Sequence, residues 1–264
     1  MPNIRPLKTT DRDEFQLMDQ EIFPDDAVEE DWFNNRVNLD GAFALVEDGR
    51  IIGNLIVTPF GEDEAVLGRI GVAKSHQGKG YGSLLMEYAI DWFQEQGGIR
   101  AVHLYTQDFN KTAQSLYKKY GFKRIGTTWH YFVPYTSIEP KNRYTCHEIQ
   151  EEEIESVVKI FPSIPAQIIR AYIARENEIF IVLKNKEGDI HGACRFTPSF
   201  PGCMPFEITD LECFDDFMFG LMGFKLQEHD YCRVTFTDNP ELANLCERRD
   251  YRLHHRLHKM ELTL

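Results

Sequence analysis

Residues 67–85, Leu-Gly-Arg-Ile-Gly-Val-Ala-Lys-Ser-His-Gln-Gly-Lys-Gly-Tyr-Gly-Ser-Leu-Leu, constrain the fold of this chain most. An apolar strand runs into glycines at alternate positions, Gly78, Gly80 and Gly82, and then into a helix. Such a turn leaves unpaired backbone N–H groups at the positive end of a helix dipole, which suits a diphosphate, and glycine permits the anion's close approach. Two common phosphate loops do not fit. A P-loop needs Ser or Thr after Gly-Lys, but Lys79 is followed by Gly80, and the dinucleotide fingerprint Gly-x-Gly-x-x-Gly has a different spacing. Neither nucleotide hydrolysis nor NAD binding is supported.

The surrounding pattern predicts alternating strands and helices. Helices are expected over 12–20 and 27–37, then a hairpin of 42–47 and 50–57 closed by Asp48-Gly49, then a strand over 65–72. The helix after the glycines, with Leu84, Leu85, Tyr88 and Trp92 on one face, stops at Gly97-Gly98. A strand over 101–106 leads to a short helix presenting Ala113, Leu116, Tyr117 and Tyr120, capped by Gly121, and a strand over 127–133 closes the unit.

Gln77-Gly78-Lys79-Gly80-Tyr81-Gly82 resembles the Gln/Arg-x-x-Gly-x-Gly/Ala acyl-CoA pyrophosphate loop of the GNAT superfamily of N-acetyltransferases. Asn110-x-x-Ala113-x-x-Leu116-Tyr117-x-x-x-Gly121-Phe122 resembles that family's terminal helix at every position, and the resemblance covers residues 3 to about 135. It implies an α/β (α+β) fold, a mixed, mostly antiparallel twisted sheet flanked by helices. It also implies acetyl-CoA as cosubstrate and a primary amine as acceptor. By the same resemblance, the backbone of Ile70, Gly71 and Val72 pairs with pantetheine, so side-chain identity there should matter little. The loop from Gln77 through Gly78, Lys79, Gly80, Tyr81 and Gly82 to Ser83 holds the diphosphate, and Asn110 meets the cofactor near the pantetheine arm, although Asn is also a good helix N-cap. Tyr117 is implied as the general acid that protonates the departing thiolate, although it also lies on the helix's apolar face.

No general base is inherited. Gly68 and Tyr105 stand where relatives carry Glu. Proton abstraction is left to water and Glu64, Asp108, Glu21, Asp25 or Asp26, or the acceptor arrives neutral. No residue is placed to carry the acetyl group covalently, so direct transfer in a ternary complex is expected.

Charge bears on the acceptor. Residues 1–64 hold 5 basic and 16 acidic side chains, whereas residues 65–136 hold 9 basic and 4 acidic, a contrast of −11 against +5. A basic segment suits a polyanionic donor and an acidic one a cationic acceptor. The acids from Asp25 to Asp31 and at Glu62-Asp63-Glu64 fit polyamines, aminosugars, amino acid derivatives or a basic peptide. A protein N-terminal or Lys acetyltransferase and a non-catalytic acyl-CoA sensor are the competing readings. Over all 264 residues the net charge is −13, which argues against nucleic acid and anionic bilayers as partners. No run of 18 apolar residues occurs, so no transmembrane helix is expected. The start, Met1 to Pro6, has no signal-peptide pattern, and the expected location is the cytoplasm.

The prolines and missing periodicity of 134–141 suggest a linker, giving domains 1–137 and 138–264. The second half repeats the first weakly: Gly192 to Pro198 aligns with Gly53 to Pro59, and Asn239 to Tyr251 with Asn110 to Phe122. It lacks the glycine loop, and Cys246 and Asp250 replace the tyrosine and glycine, so a degenerate GNAT-like domain is expected, covering the acceptor side or forming a homodimer contact. His254, His255 and His258 alternate along a strand without other ligands at spacing, so no metal is expected; the six cysteines read as reduced, packed thiols.

Overall fold

The computed structural model describes every residue except 1, 25–27, 29, 38–39, 61–62 and 227–228, and the side chains of 30–32 and 60. The expected acids Asp25, Asp26, Glu29 and Glu62, and the side chains of Glu30 and Asp31, lie outside the described residues.

The chain divides into two compact units, Met1–Ile125 with Lys259–Leu264, and Gly126–His258. The elements of the two halves of the sequence correspond one to one. The first half runs β1 (Asn3–Pro6), α1 (Arg12–Ile22), α2 (Glu30–Val37), β2 (Ala42–Glu47), β3 (Arg50–Phe60), β4 (Glu64–Val72), α3 (Tyr81–Gln96), β5 (Ala101–Gln107), α4 (Lys111–Lys119) and β6 (Lys123–Pro134). The second runs β7 (Thr145–Glu148), α5 (Ile154–Ile160), α6 (Ala166–Ile173), β8 (Ile179–Lys184), β9 (Ile190–Thr197), β10 (Gly202–Ile208), α7 (Phe214–Leu221), β11 (Tyr231–Thr237), α8 (Pro240–Arg248) and β12 (Arg252–Thr263). No helix among the described residues is long and apolar enough to cross a membrane.

In the first unit the strand order is β1-β2-β3-β4-β5, followed by the end of β12. All neighbours are antiparallel from β1 to β4, and β4–β5 is parallel. Asp48 (φ 51°) and Gly49 (φ 78°) make the tight β2–β3 turn that Asp-Gly favours. One face of the sheet buries Leu55, Leu67, Val102 and Leu104 against Leu85, Met86, Ala89 and Phe93 of α3 and Tyr117 of α4. The other buries Ala44, Val46 and Ile56 against Phe15 and Met18 of α1 and Phe33 of α2. The buried stripe of α3 is thus Leu85, Met86, Ala89, Trp92 and Phe93, with Leu84 and Tyr88 at its margin.

The boundary differs from the expected cut at residue 138. The strand expected to close the first unit, β6, pairs antiparallel with β11, from Thr128–Thr237 to Pro134–Tyr231. Its inward residues Trp129, Tyr131 and Val133 pack with Cys232, Val234 and Phe236 in the second unit's core. The first unit is instead completed by the chain's last residues: Met260 is buried in its core, and Leu264 N–H donates to the Arg100 carbonyl (2.9 Å). Alternating burial marks β6 as a half-buried strand but carries no information about which sheet it joins. All six cysteines are free, and five are buried.

Candidate active site

The site begins with a defect in β4. The β3–β4 ladder pairs Ile56 with Arg69 and Val57 with Leu67, leaving Gly68 as an extra residue on β4. A bulge of this kind bends the strand and increases its twist. On its other edge β4 pairs with β5 only at Glu64–Ala101, Ala65–Val102 and Val66–His103. Past Val66, the edge of β4 turned away from β3 has no strand partner among the described residues. Ile70, Gly71 and Val72 lie on that open edge. β10 repeats the device in the second unit, with an irregularity between Cys203 and Phe206 and only two parallel pairs to β11.

β4 leads into the glycine loop. Gly78 and Gly80 have φ of 76° and 87°, and a Cβ at either would meet no atom within 4 Å. Glycine is therefore required by the backbone, and the space above is open to a ligand. Gly80 is the N-cap of the 16-residue α3 and makes no side-chain cap, so the first-turn amides of Tyr81, Gly82 and Ser83 point out of the helix end. The Gln77 side-chain amide donates back to the Val72 carbonyl (2.9 Å), joining strand end to loop. On the far flank, Tyr81 Oη donates to Glu47 Oε1 at 2.5 Å and His76 Nε2 stands 3.6 Å from Glu47 Oε2, so the tip of β2 braces the loop. Ser83 Oγ accepts from Lys119 Nζ (3.3 Å), and Lys79 is exposed beside the glycines.

Gly71 corrects the expectation that side-chain identity matters little along 70–72. A Cβ there would stand 3.0–3.1 Å from Ile22 and Phe23 at the end of α1. Gly71→Ala is expected to destabilise the fold by about 1–3 kcal/mol, since an added methyl in a packed contact forces neighbours to move. Denaturant unfolding checks this, and wild-type stability would show that α1 yields.

α4 carries the other motif. Asn110 caps it, its Oδ1 accepting from Ala113 N–H (3.0 Å), and buried Gln114 donates to the carbonyls of Gln107 and Asp108. Asn239 caps α8 in the same way (2.9 Å to Leu242 N). Capping alone thus explains an asparagine at both positions. Tyr117 is buried in the cluster that includes Leu67, Leu85 and Leu104, with Ile70 and Val72 packed beside it, and its ring is 6.1 Å from that of Phe122. No described residue hydrogen-bonds its hydroxyl. Burial pushes its pKa up to about 12, so the phenol keeps its proton at neutral pH.

Charged groups line the α1 face of the same strands. Asp19 is fully buried and grips Arg69 of β4 bidentately, at 2.6 and 2.8 Å, while Arg69 lies 4.0 Å over the Phe23 ring. Glu21 accepts from Lys74 N–H (2.7 Å) and so supports the approach to the loop. Glu64 lies 3.1 Å from Nε2 of His103, a buried histidine that no motif in the sequence marks. Strand alternation puts His103 opposite Val102 and Leu104, but its further neighbour Glu261 (3.7 Å) comes from the chain's last strand, which no local pattern reveals.

The corresponding place in the second unit is filled internally. The Asp216 carboxylate, in the first turn of α7, accepts backbone N–H bonds from Lys141, Asn142, Arg143 and Tyr144 at 2.6–3.2 Å. Asp215 beside it pairs with Arg249 (2.6 and 2.8 Å). Carboxylates there disfavour an anion. Cys246, at the position of Tyr117, is fully buried, and burial pushes its thiol up to about 12. Among the described residues, no three His, Cys, Asp or Glu are grouped to hold a metal.

A parallel pair parting at a bulge, with a glycine loop and helix end at its mouth, defines a fold and a site together. The profile of the acetyltransferase (GNAT) family matches residues 6–122, and these residues form an acetyltransferase domain of that family. The chain is 36% identical over 104 residues to the mycothiol acetyltransferase of Pseudarthrobacter chlorophenolicus, an alignment spanning 37% of this chain and 30% of the relative. The matched stretches amount to about a third of the length of the curated relatives. The fold of a GCN5-related N-acetyltransferase from Sphaerobacter thermophilus is similar over 99% of this chain and 95% of that one, with a TM-score of 0.77 at 15% identity. A tandem GNAT protein from the clavulanic acid biosynthesis pathway is also similar in fold, with a TM-score of 0.69 at 11% identity, covering 100% of this chain and 98% of that one.

Proposed function

We propose that the chain is an acetyl-CoA-dependent N-acetyltransferase with one active site, in the first unit, acting on a small cationic primary amine. The parting of β4 from β5 after the Val66–His103 pair, on the strand that leads into the glycine loop, carries this reading. Acetyl-CoA supplies the acyl group as a thioester. The amides of Gly78 to Ser83 hold its diphosphate, with Gln77 bracing the loop and Lys79 adding positive charge. The open edge of β4 at Ile70, Gly71 and Val72 pairs with the pantetheine amides as a neighbouring strand would. Asn110 fixes the start of α4 beside that arm, which aims Tyr117 at the sulfur. The Tyr117 hydroxyl gives its proton to the departing thiolate as the amine attacks the carbonyl carbon in a ternary complex. The second unit is a degenerate repeat, with Asp216 where the donor's phosphates would lie.

Thiol release from acetyl-CoA, measured with a panel of polyamines, aminosugars, amino acid derivatives and basic peptides, tests this. Turnover with at least one small amine is expected. Acetyl-CoA binding without turnover on any of them would favour the sensor reading, and turnover on peptides alone would favour a protein acetyltransferase.

A further inference from the structure

Resting on that reading, we propose that Glu64 is the proton acceptor for the incoming amine and that His103, whose other ring nitrogen faces Glu261, is the residue that positions it. An arriving ammonium must lose a proton before its nitrogen can attack, so the acceptor side needs a group to take it. Val66–His103 is the last pair before the strands part, so a donor arm lying along 70–72 and running back past Gly68 brings its thioester to this point. Val66 is also paired with Thr58 on β3, and directly paired residues share a sheet face. Arg36 of α2 donates to Thr58 Oγ1 (2.9 Å), which puts Val66 and His103 on the α1–α2 side, opposite the α3 side that buries Val102 and Leu104. Phe15 and Met18 of α1 and Phe33 of α2 pack on this side.

Within the cluster the groups divide by exposure. His103 is only 8% exposed, and its Nδ1 is buried with no hydrogen-bond partner among the described residues, an unusual cost for a polar atom. Its Nε2 is bound to Glu64 at 3.1 Å, while Nδ1 faces Glu261 at 3.7 Å. A ring held through Nε2 to Glu64, with Glu261 on its other side, keeps Glu64 in one orientation. The Glu64 side chain itself is 43% exposed, within reach of an arriving ammonium.

The ammonium gives one proton to Glu64, which passes it to solvent, and the neutral nitrogen attacks the thioester carbonyl carbon. The C–N bond forms and the C–S bond breaks. Tyr117 protonates the sulfur, and the second proton leaving the nitrogen restores the phenol.

Steady-state kinetics of full-length Glu64→Gln, His103→Gln and His103→Phe, with the best amine from the panel, test the assignment alongside calorimetric acetyl-CoA binding. Glu64→Gln should lower kcat at least tenfold with acetyl-CoA affinity unchanged. His103→Phe should lower kcat with little change in either KM, and His103→Gln, which keeps a donor towards Glu64, should recover most of it. Wild-type kcat in Glu64→Gln would overturn this assignment and leave the acetyltransferase reading standing. Equal losses in both His103 variants would overturn the positioning role, and a wild-type chain inactive on every amine would overturn both readings.

Discussion

A Gly80→Glu variant is expected to lose acetyl-CoA binding by at least about a hundredfold while still folding. At φ of 87° a side chain costs roughly 1–2 kcal/mol of backbone strain, which a domain of this size survives with a modest fall in Tm. The space a Cβ would enter is empty, so the new carboxylate points into the opening above the loop. There it repels a diphosphate and blocks the approach of the Tyr81 to Ser83 amides. Gly80→Asn separates the two effects, because Asn tolerates left-handed backbone and adds no charge. It should keep part of the affinity. Calorimetry on both variants checks this, and wild-type affinity in Gly80→Glu would mean that the donor's phosphates lie elsewhere.

Tyr117→Phe is expected to lower kcat by a factor of about 10² with the KM for acetyl-CoA nearly unchanged, the pattern for losing a proton donor used only in the transition state. The hydroxyl has no hydrogen-bond partner among the described residues, and the ring fills the core in either variant. Stability should therefore stay within about 0.5 kcal/mol of wild type. The loss would then be chemical and not structural. An unchanged kcat would remove Tyr117 from the reaction, and a large fall in stability would assign it to packing.

What was legible in the sequence was local. Gly78 and Gly80 announce the turn because only glycine adopts their backbone cheaply, and Asn110 and Gly121 bracket α4 because cap geometry selects them. The Asp48-Gly49 hairpin follows from the same kind of rule. Features made by distant segments stayed hidden. The partner of β6 depends on which sheet offers a matching edge, and its alternating pattern fits any of them. Gly71 reads as a backbone contact until Ile22 and Phe23 are seen against it. Glu64 is visible as one of the acids at the tip before β4, but His103 and Glu261 gain meaning only when β5 and the end of β12 lie in one unit. The missing glycines of the second half were plain, whereas Asp216 closing on the 141–144 amides was not.

Calorimetric titration of the purified full chain with acetyl-CoA tests the central claim most directly, because stoichiometry and affinity are read together. One site per chain is predicted, in the first unit. Two sites would contradict the assignment of the second unit as degenerate, and no binding would contradict the donor site itself.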